Sequence, residues 1–139
     1  MLDTSVLVAG FRSRRGASFR LLTLLRAGTF EIAVSVPLAL EYEAVLPAHA
    51  AQLAMAVSDA TAIVDYLCAV GRQQAIHFLW RPALSDPVDE FVLELAVAAQ
   101  CQAIVTHNVR DFASARTFGV QILTPGDFLR VIEEREERP

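Results

Sequence analysis

The acidic residues of this chain are unevenly placed, and their spacing suggests a chemistry. Asp3 interrupts the apolar opening Met1-Leu2-Asp3-Thr4-Ser5-Val6-Leu7-Val8. A charge inside an apolar strand is costly unless it sits at the strand's C-terminal edge, where open α/β sheets place their ligands. Glu41 and Glu43 share a predicted helix. At about 100° per residue, Leu38, Tyr42 and Val45 define one face, with Glu41 at its edge and Glu43 further round toward water. In a later helix Asp89 falls with Val92, Leu93 and Ala96 on one side. Glu90 and Glu94, four residues apart, are expected to form the opposite, wet stripe. Asp86 precedes Pro87 and is placed to cap that helix, which leaves Asp89 free for another task. Asn108 and Asp111 follow Ile104-Val105-Thr106, again at the C-terminal end of a predicted strand.

Asp3, Glu41, Asp89 and the Asn108/Asp111 loop are therefore expected to converge on one edge of a sheet. Acids so gathered repel one another, and divalent cations relieve the repulsion. Carboxylate oxygens suit Mg²⁺ or Mn²⁺ rather than zinc. Such a site activates water for attack on a phosphorus centre, and two ions can clamp the attacking and leaving oxygens. The expected reaction is metal-dependent phosphodiester hydrolysis. Arg12, Arg14 and Arg15 follow the Asp3 segment in what reads as a basic loop, placed to grip phosphates. Arg110 and His107 flank the same edge, with His107 expected at the surface. Asp127 is assigned to capping, because Thr124-Pro125-Gly126-Asp127 is a helix-start signature.

The elements that must position these residues are legible from periodicity. Residues 2–8 read as a strand and residues 10–16 as a loop. Residues 18–27 read as a helix stopped by Gly28, and residues 30–36 as a strand. Ser35 caps a helix expected to end near Leu46, before Pro47. Residues 48–71 read as helical with a break near Ser58, and residues 76–80 as a short strand. A helix follows Asp86-Pro87 to about Gln100. Strands are expected at 103–106 and 120–123, then a last helix and a frayed, charged tail. Strands alternating with helices imply a parallel sheet covered on both faces, a three-layer α/β/α sandwich. At 139 residues the chain is expected to form one domain, 1–139.

Composition closes off several alternatives. The net charge of -4 argues against a polybasic nucleic-acid coat or a membrane-surface module. All 12 basic residues are arginine. Lacking lysine, the chain has no Schiff base and no P-loop. It also lacks the lysine of a haloacid-dehalogenase phosphatase, whose second aspartate would fall where Ser5 stands. Cys68 and Cys101 are too few for a disulfide framework and are expected to pack in the core. No basic leader and no apolar run of ~20 residues suggests secretion or a membrane span, so a cytoplasmic setting is expected.

These motifs resemble those of PIN domains. Leu2-Asp3-Thr4-Ser5-Val6-Leu7-Val8 is similar to the family's first motif, and Ser35 with Leu40-Glu41-Tyr42 and Val45-Leu46 to its second. Trp80-Arg81-Pro82, Asp86-Pro87-Val88-Asp89-Glu90 and Leu95-Ala96 are similar to the third. Ile104-Val105-Thr106-His107-Asn108 with Arg110-Asp111-Phe112 is similar to a variant of the fourth. The nearest resemblance is to bacterial PIN-domain toxins of toxin–antitoxin systems, akin to VapC. It implies a Mg²⁺- or Mn²⁺-dependent ribonuclease acting on RNA, a homodimer, and a small antitoxin partner. The family's three core acids carry over to Asp3, Glu41 and Asp89. Where many members have a fourth aspartate this chain has Asn108, and Asp111 is the candidate to replace its charge. Thr4, Ser5 and Thr106 lie inside the motifs and are expected beside the substrate. Only Met1 and Leu2 precede Asp3, where the family usually carries several apolar residues, so either the start is assigned too late or the central strand is short. Residues 48–71 or the Glu41 helix are expected to supply the homodimer contact, since their leucines and alanines exceed what one thin layer must cover. The competing reading is a PIN-fold binding module with a weakened site, acting through its dimer or antitoxin contacts.

Overall fold

The computed structural model describes residues 1–75 and 87–138, and the side chains of residues 87–91 and 114 lie outside that description. The elements in chain order are α1 (Thr4–Arg12), α2 (Ala17–Arg26), β1 (Ala33–Val34), α3 (Val36–Ala48), α4 (Val57–Val70) and β2 (Arg72–Gln73). They continue with α5 (Pro87–Ala98), β3 (Ala103–Val105), a 3₁₀ helix (Val109–Phe118), β4 (Gln121–Leu123) and α6 (Pro125–Glu136).

Among the described residues the pairing is parallel, as the alternation of strands and helices leads one to expect. β1 pairs with β2 in the register Ala33↔Arg72, and β3 pairs with β4 in the register Ile104↔Ile122. The opening residues extend the second ladder. Met1 N donates to the Ala103 carbonyl, Val105 N to the Met1 carbonyl and Asp3 N to the Val105 carbonyl, each at 2.9 Å. Asp3 and Thr106 thereby end adjacent parallel strands. The fold is α/β with parallel strands, as expected.

The first correction lies here. Residues 2–8 are not one strand: the extended segment ends at Asp3 and the chain turns into α1. The apolar run Val6-Leu7-Val8 fits either state, but Thr4, Val6, Leu7 and Gly10 are the buried positions, and the adjacent pair Val6-Leu7 with Gly10 is a helical rather than an alternating pattern. Gly10 lies where α1 packs closely on α2: a Cβ there would lie 2.6 Å from Leu22 Cδ1, which would have to shift, and 3.4 Å from the Ser18 backbone. The expected basic loop shrinks accordingly, and Arg12 belongs to the last turn of α1.

Other boundaries move for local reasons. The strand expected over 30–36 is regular only at Ala33–Val34. Ser35 caps α3 as expected, its Oγ accepting from Leu38 N at 3.3 Å. The helix then runs through Pro47 to Ala48. The break expected near Ser58 falls before Val57. Thr124, not Asp127, caps α6 with its side chain: Thr124 Oγ1 accepts from Asp127 N at 3.1 Å, and Asp127 pairs instead with Arg130 at 3.6 Å. The tail expected to fray is helical to Glu136. The strand expected at 76–80, the Trp80-Arg81-Pro82 motif and Asp86 lie outside the described residues.

The core is continuous beneath these elements. α3 contributes Leu38, Tyr42 and Leu46, and α4 packs against it through Ala60, Val64 and Leu67. Full burial of each large apolar side chain is worth about 1.5–3 kcal/mol. α5 is buried almost all round from Val92 to Ala96, and this includes Glu94, which is only 3% exposed. The wet stripe expected at Glu90 and Glu94 therefore fails at Glu94, because α5 is flanked on different sides by α3, β3 and the 3₁₀ helix. Cys68 and Cys101 are free thiols, half-buried against the core.

Tyr42 ties α3 to the first segment. Its ring is fully buried and its hydroxyl donates to the Leu2 carbonyl. Burial pushes the phenol well above the usual tyrosine range, and the nearby Asp3 carboxylate pushes the same way. Above pH ~10 the unfolded chain loses this proton while the folded chain keeps it. Stability is therefore full below pH ~10 and falls above it, by about 1.4 kcal/mol per pH unit from this one group. Urea melts at pH 9, 10 and 11 should show that loss. Tyr42→Phe should flatten the alkaline slope, at a cost of about 1 kcal/mol at neutral pH for the lost hydrogen bond.

Candidate active site

Asp3 stands at the N-cap of α1, yet its carboxylate caps no backbone N–H there. The usual local task of such a residue is left undone. Asp3 is 7% exposed, and its carboxylate instead accepts at Oδ2 from Ser5 Oγ and Thr106 Oγ1, both at 2.7 Å. Each hydroxyl is oriented in turn by a backbone amide. His107 N donates to Ser5 Oγ at 3.1 Å, and Asn108 N donates to Thr106 Oγ1 at 2.9 Å. The hydrogen bonds that Asp3 accepts from these two hydroxyls both fall on Oδ2. The start of α1 adds the favourable field of a helix N-terminus for an anion.

Asp3 opens into a cleft of about 610 Å³. From the first segment and α1 it is lined by Thr4, Ser5 and Arg12, from α3 by Glu41 and Val45, and beyond α3 by His49. His107 and Asn108, after β3, complete the polar lining. The helical angle explains the α3 set: with Leu38, Tyr42 and Leu46 turned into the core, Glu41, Val45 and His49 share the neighbouring stripe. Glu43 is exposed on the far side.

The residues singled out in the sequence thus divide into groups. Asp3, Thr4, Ser5, Glu41, Asn108 and Arg12 line the cleft, and Thr106 is buried directly behind Asp3. Arg14 and Arg15 are exposed in the turn after α1, outside the lining. Asp111 is exposed in the first turn of the 3₁₀ helix, also outside it. Asp89 lies in the first turn of α5, and its side chain is outside the described residues. Among the described residues no three His, Cys, Asp or Glu side chains gather closely enough to hold a metal ion. Two histidines also line the cleft. His107 is exposed but lines the cleft, with Nε2 2.9 Å from Ser18 Oγ. His49 was not singled out, although its spacing of eight residues from Glu41 is the signal that places both on one stripe.

A larger hollow of about 820 Å³ lies at the opposite ends of the strands, beside Met1, Ala103 and Gln121. Its charged groups, Glu31, Arg72, Arg135 and Glu136, are of mixed sign. Ligands of open α/β sheets bind at the C-terminal strand ends, where the smaller cleft lies with Asp3 held in place by its neighbours. Burial and the nearby Glu43 and Asp65 push the Cys68 thiol up, which disfavours its reactive thiolate.

Residues 1–110 match the family model of the PIN domain. The chain therefore belongs to the PIN-domain family, whose fold is typically that of a nuclease. No curated protein and no solved structure matches the chain. Among the described residues no helix is long and apolar enough to cross a membrane.

Proposed function

We propose that this PIN-domain protein is a Mg²⁺- or Mn²⁺-dependent endoribonuclease that hydrolyses RNA phosphodiester bonds in the Asp3–Glu41 cleft. The observation that carries the proposal is the treatment of Asp3: a buried acid, relieved of capping, fixed on one oxygen by two hydroxyls, in the lining of a polar cleft that Glu41 shares. Hard oxygen donors of this kind fit Mg²⁺ or Mn²⁺. Asp3 and Glu41 would hold the ion, with Asp89 as the third acid, Asn108 as a neutral oxygen donor and Asp111 as a supplementary charge at the rim. When bound, the ion supplies charge to lower the pKa of a water and to stabilise the phosphorane-like transition state. Ser5 and Thr106 fix the orientation of Asp3, so that no reorganisation is needed as charge develops. Arg12 binds a substrate phosphate across the cleft, with Arg14 and Arg15 extending the cationic edge beyond it.

The resemblance of the motifs to bacterial PIN-domain toxins supports the role of toxin in a toxin–antitoxin pair, in the cytoplasm, as a homodimer with a small antitoxin. The exposed Val57, Tyr66 and Val70 of α4, and Val36 and Leu40 of α3, are the surfaces available for those contacts. The test is cleavage of structured and single-stranded RNA by the purified protein with Mn²⁺ and with EDTA, beside the double variant Asp3→Asn/Asp89→Asn. Cleavage that needs Mn²⁺ and vanishes in the double variant is expected. A folded protein that cleaves no RNA under any of these conditions contradicts the proposal and favours a binding module.

A further inference from the structure

His49 occupies a defined position in the cleft that the proposed reaction does not use. It ends α3, lines the cleft with Glu41 and Val45, and is half-buried. Its Nδ1 lies 2.8 Å from the Val45 carbonyl. A carbonyl can only accept, so Nδ1 carries the hydrogen, and Nε2 of the neutral ring is an acceptor with a lone pair. Among the described residues nothing donates to Nε2. The ring is therefore held by its own helix in the lining of the cleft, and Nε2 is its remaining polar atom.

An acceptor does not suit a phosphate, which offers none but acceptors itself. It suits a hydroxyl or an N–H. We infer that His49 Nε2 accepts a hydrogen bond from a ribose 2′-hydroxyl of the bound strand, making His49 a residue that distinguishes RNA from DNA. The inference rests on the proposed cleavage of RNA in this cleft. The 2′-hydroxyl is the group by which a protein tells the two nucleic acids apart at a given site, and it is both donor and acceptor. Eight residues of helix separate His49 from Glu41, about 12 Å along the axis. The ribose that His49 reads is then not the one at the scissile phosphate but a neighbour along the strand, with Arg12 available to hold the backbone between the two.

The nucleophile of the proposed reaction is water, so removing a flanking 2′-hydroxyl leaves the chemistry intact and reports recognition. The experiment is a scan of one RNA substrate with single 2′-deoxy substitutions at each flanking position, cleaved with Mn²⁺ by wild type, His49→Ala and His49→Gln. Wild type should lose about fivefold in kcat/KM at one flanking position, the worth of one hydrogen bond. His49→Ala should lose about fivefold on the all-ribose substrate and nothing more when that position is also deoxy. His49→Gln keeps an acceptor oxygen and should recover part of the sensitivity. Unchanged thermal melting of both variants separates recognition from folding. Independent, additive losses would overturn the inference, as would an equal loss by His49→Ala on RNA and fully deoxy substrates, while leaving the ribonuclease reading in place. If wild type cleaves no RNA, both fall together.

Discussion

Asp3→Asn should abolish Mn²⁺-dependent RNA cleavage and leave the fold almost unchanged. The substitution is close to isosteric, and the hydrogen-bond network dictates how the new side chain sits. Ser5 and Thr106 both donate to Asp3 Oδ2 while accepting from backbone amides, so their polarity is fixed. The carboxamide oxygen takes the place of Oδ2 and the NH₂ group takes the place of Oδ1. The network survives, but the cleft meets two N–H donors instead of an anionic oxygen. Loss of a supporting contact behind a metal ligand typically costs about 10–100-fold. Loss of the ligand itself should exceed about 100-fold. Thr106→Val, which removes one supporting hydroxyl from Oδ2, should fall inside the smaller range. Initial cleavage rates with thermal melts of all three proteins make the comparison. An Asp3→Asn variant with more than a tenth of wild-type activity would remove Asp3 from the reaction.

The largest expected effect on stability is at Gly71. This residue follows α4 and leads into β2, with φ −72° and ψ 143°, a conformation open to any residue. Its requirement is space. A Cβ would lie 2.5 Å from Val34 Cγ2 and 2.8 Å from the Leu67 carbonyl oxygen, and that carbonyl accepts the Gly71 N–H at 2.9 Å. A backbone oxygen cannot step aside without disturbing the end of α4. Gly71→Ala should therefore cost about 1–3 kcal/mol, which for a domain of this size lowers Tm by roughly 4–12 °C. Gly126→Ala is the contrast. It sits in the first turn of α6 with only Thr124 Oγ1, at 4.0 Å, near the new methyl. It should be neutral or stabilise by about 0.4–1 kcal/mol through the unfolded chain. Equal melting temperatures for the two variants would show that the α4–β2 junction is not close-packed.

What was legible in the sequence depended on whether local chemistry and tertiary context agreed. Asp3 was conspicuous because a carboxylate in an apolar run needs a partner, and the structure supplies two hydroxyls. Glu41 could be separated from Glu43 by helical angle alone, and the two do fall on cleft and solvent sides. The caps at Ser35 and Thr124 were readable because they are satisfied within three residues. The switch from strand to helix at Thr4 was not. Val6 and Val8 favour either state, and the decision rests on packing against α2, which lies outside any local window. Glu94 misled for a similar reason. Its spacing from Glu90 marks a polar stripe, but neighbours on several sides of α5 leave it 3% exposed. Arg12 reads from the sequence as a loop residue placed to grip phosphates. The helix carries it onto the cleft while Arg14 and Arg15 remain in the turn beyond.

The central claim is that Asp3 and Glu41 act on one divalent ion in one cleft, and calorimetric titration of Mn²⁺ tests it most directly. Wild type, Asp3→Asn and Glu41→Gln are titrated at equal concentration, with circular dichroism to confirm that each is folded. The predicted result is saturable binding by wild type, weakened at least about tenfold by either substitution, with no further loss when the two are combined beyond loss of the site itself. Wild-type binding that persists unchanged in both folded variants would contradict the claim and place the metal, if any, elsewhere on the protein.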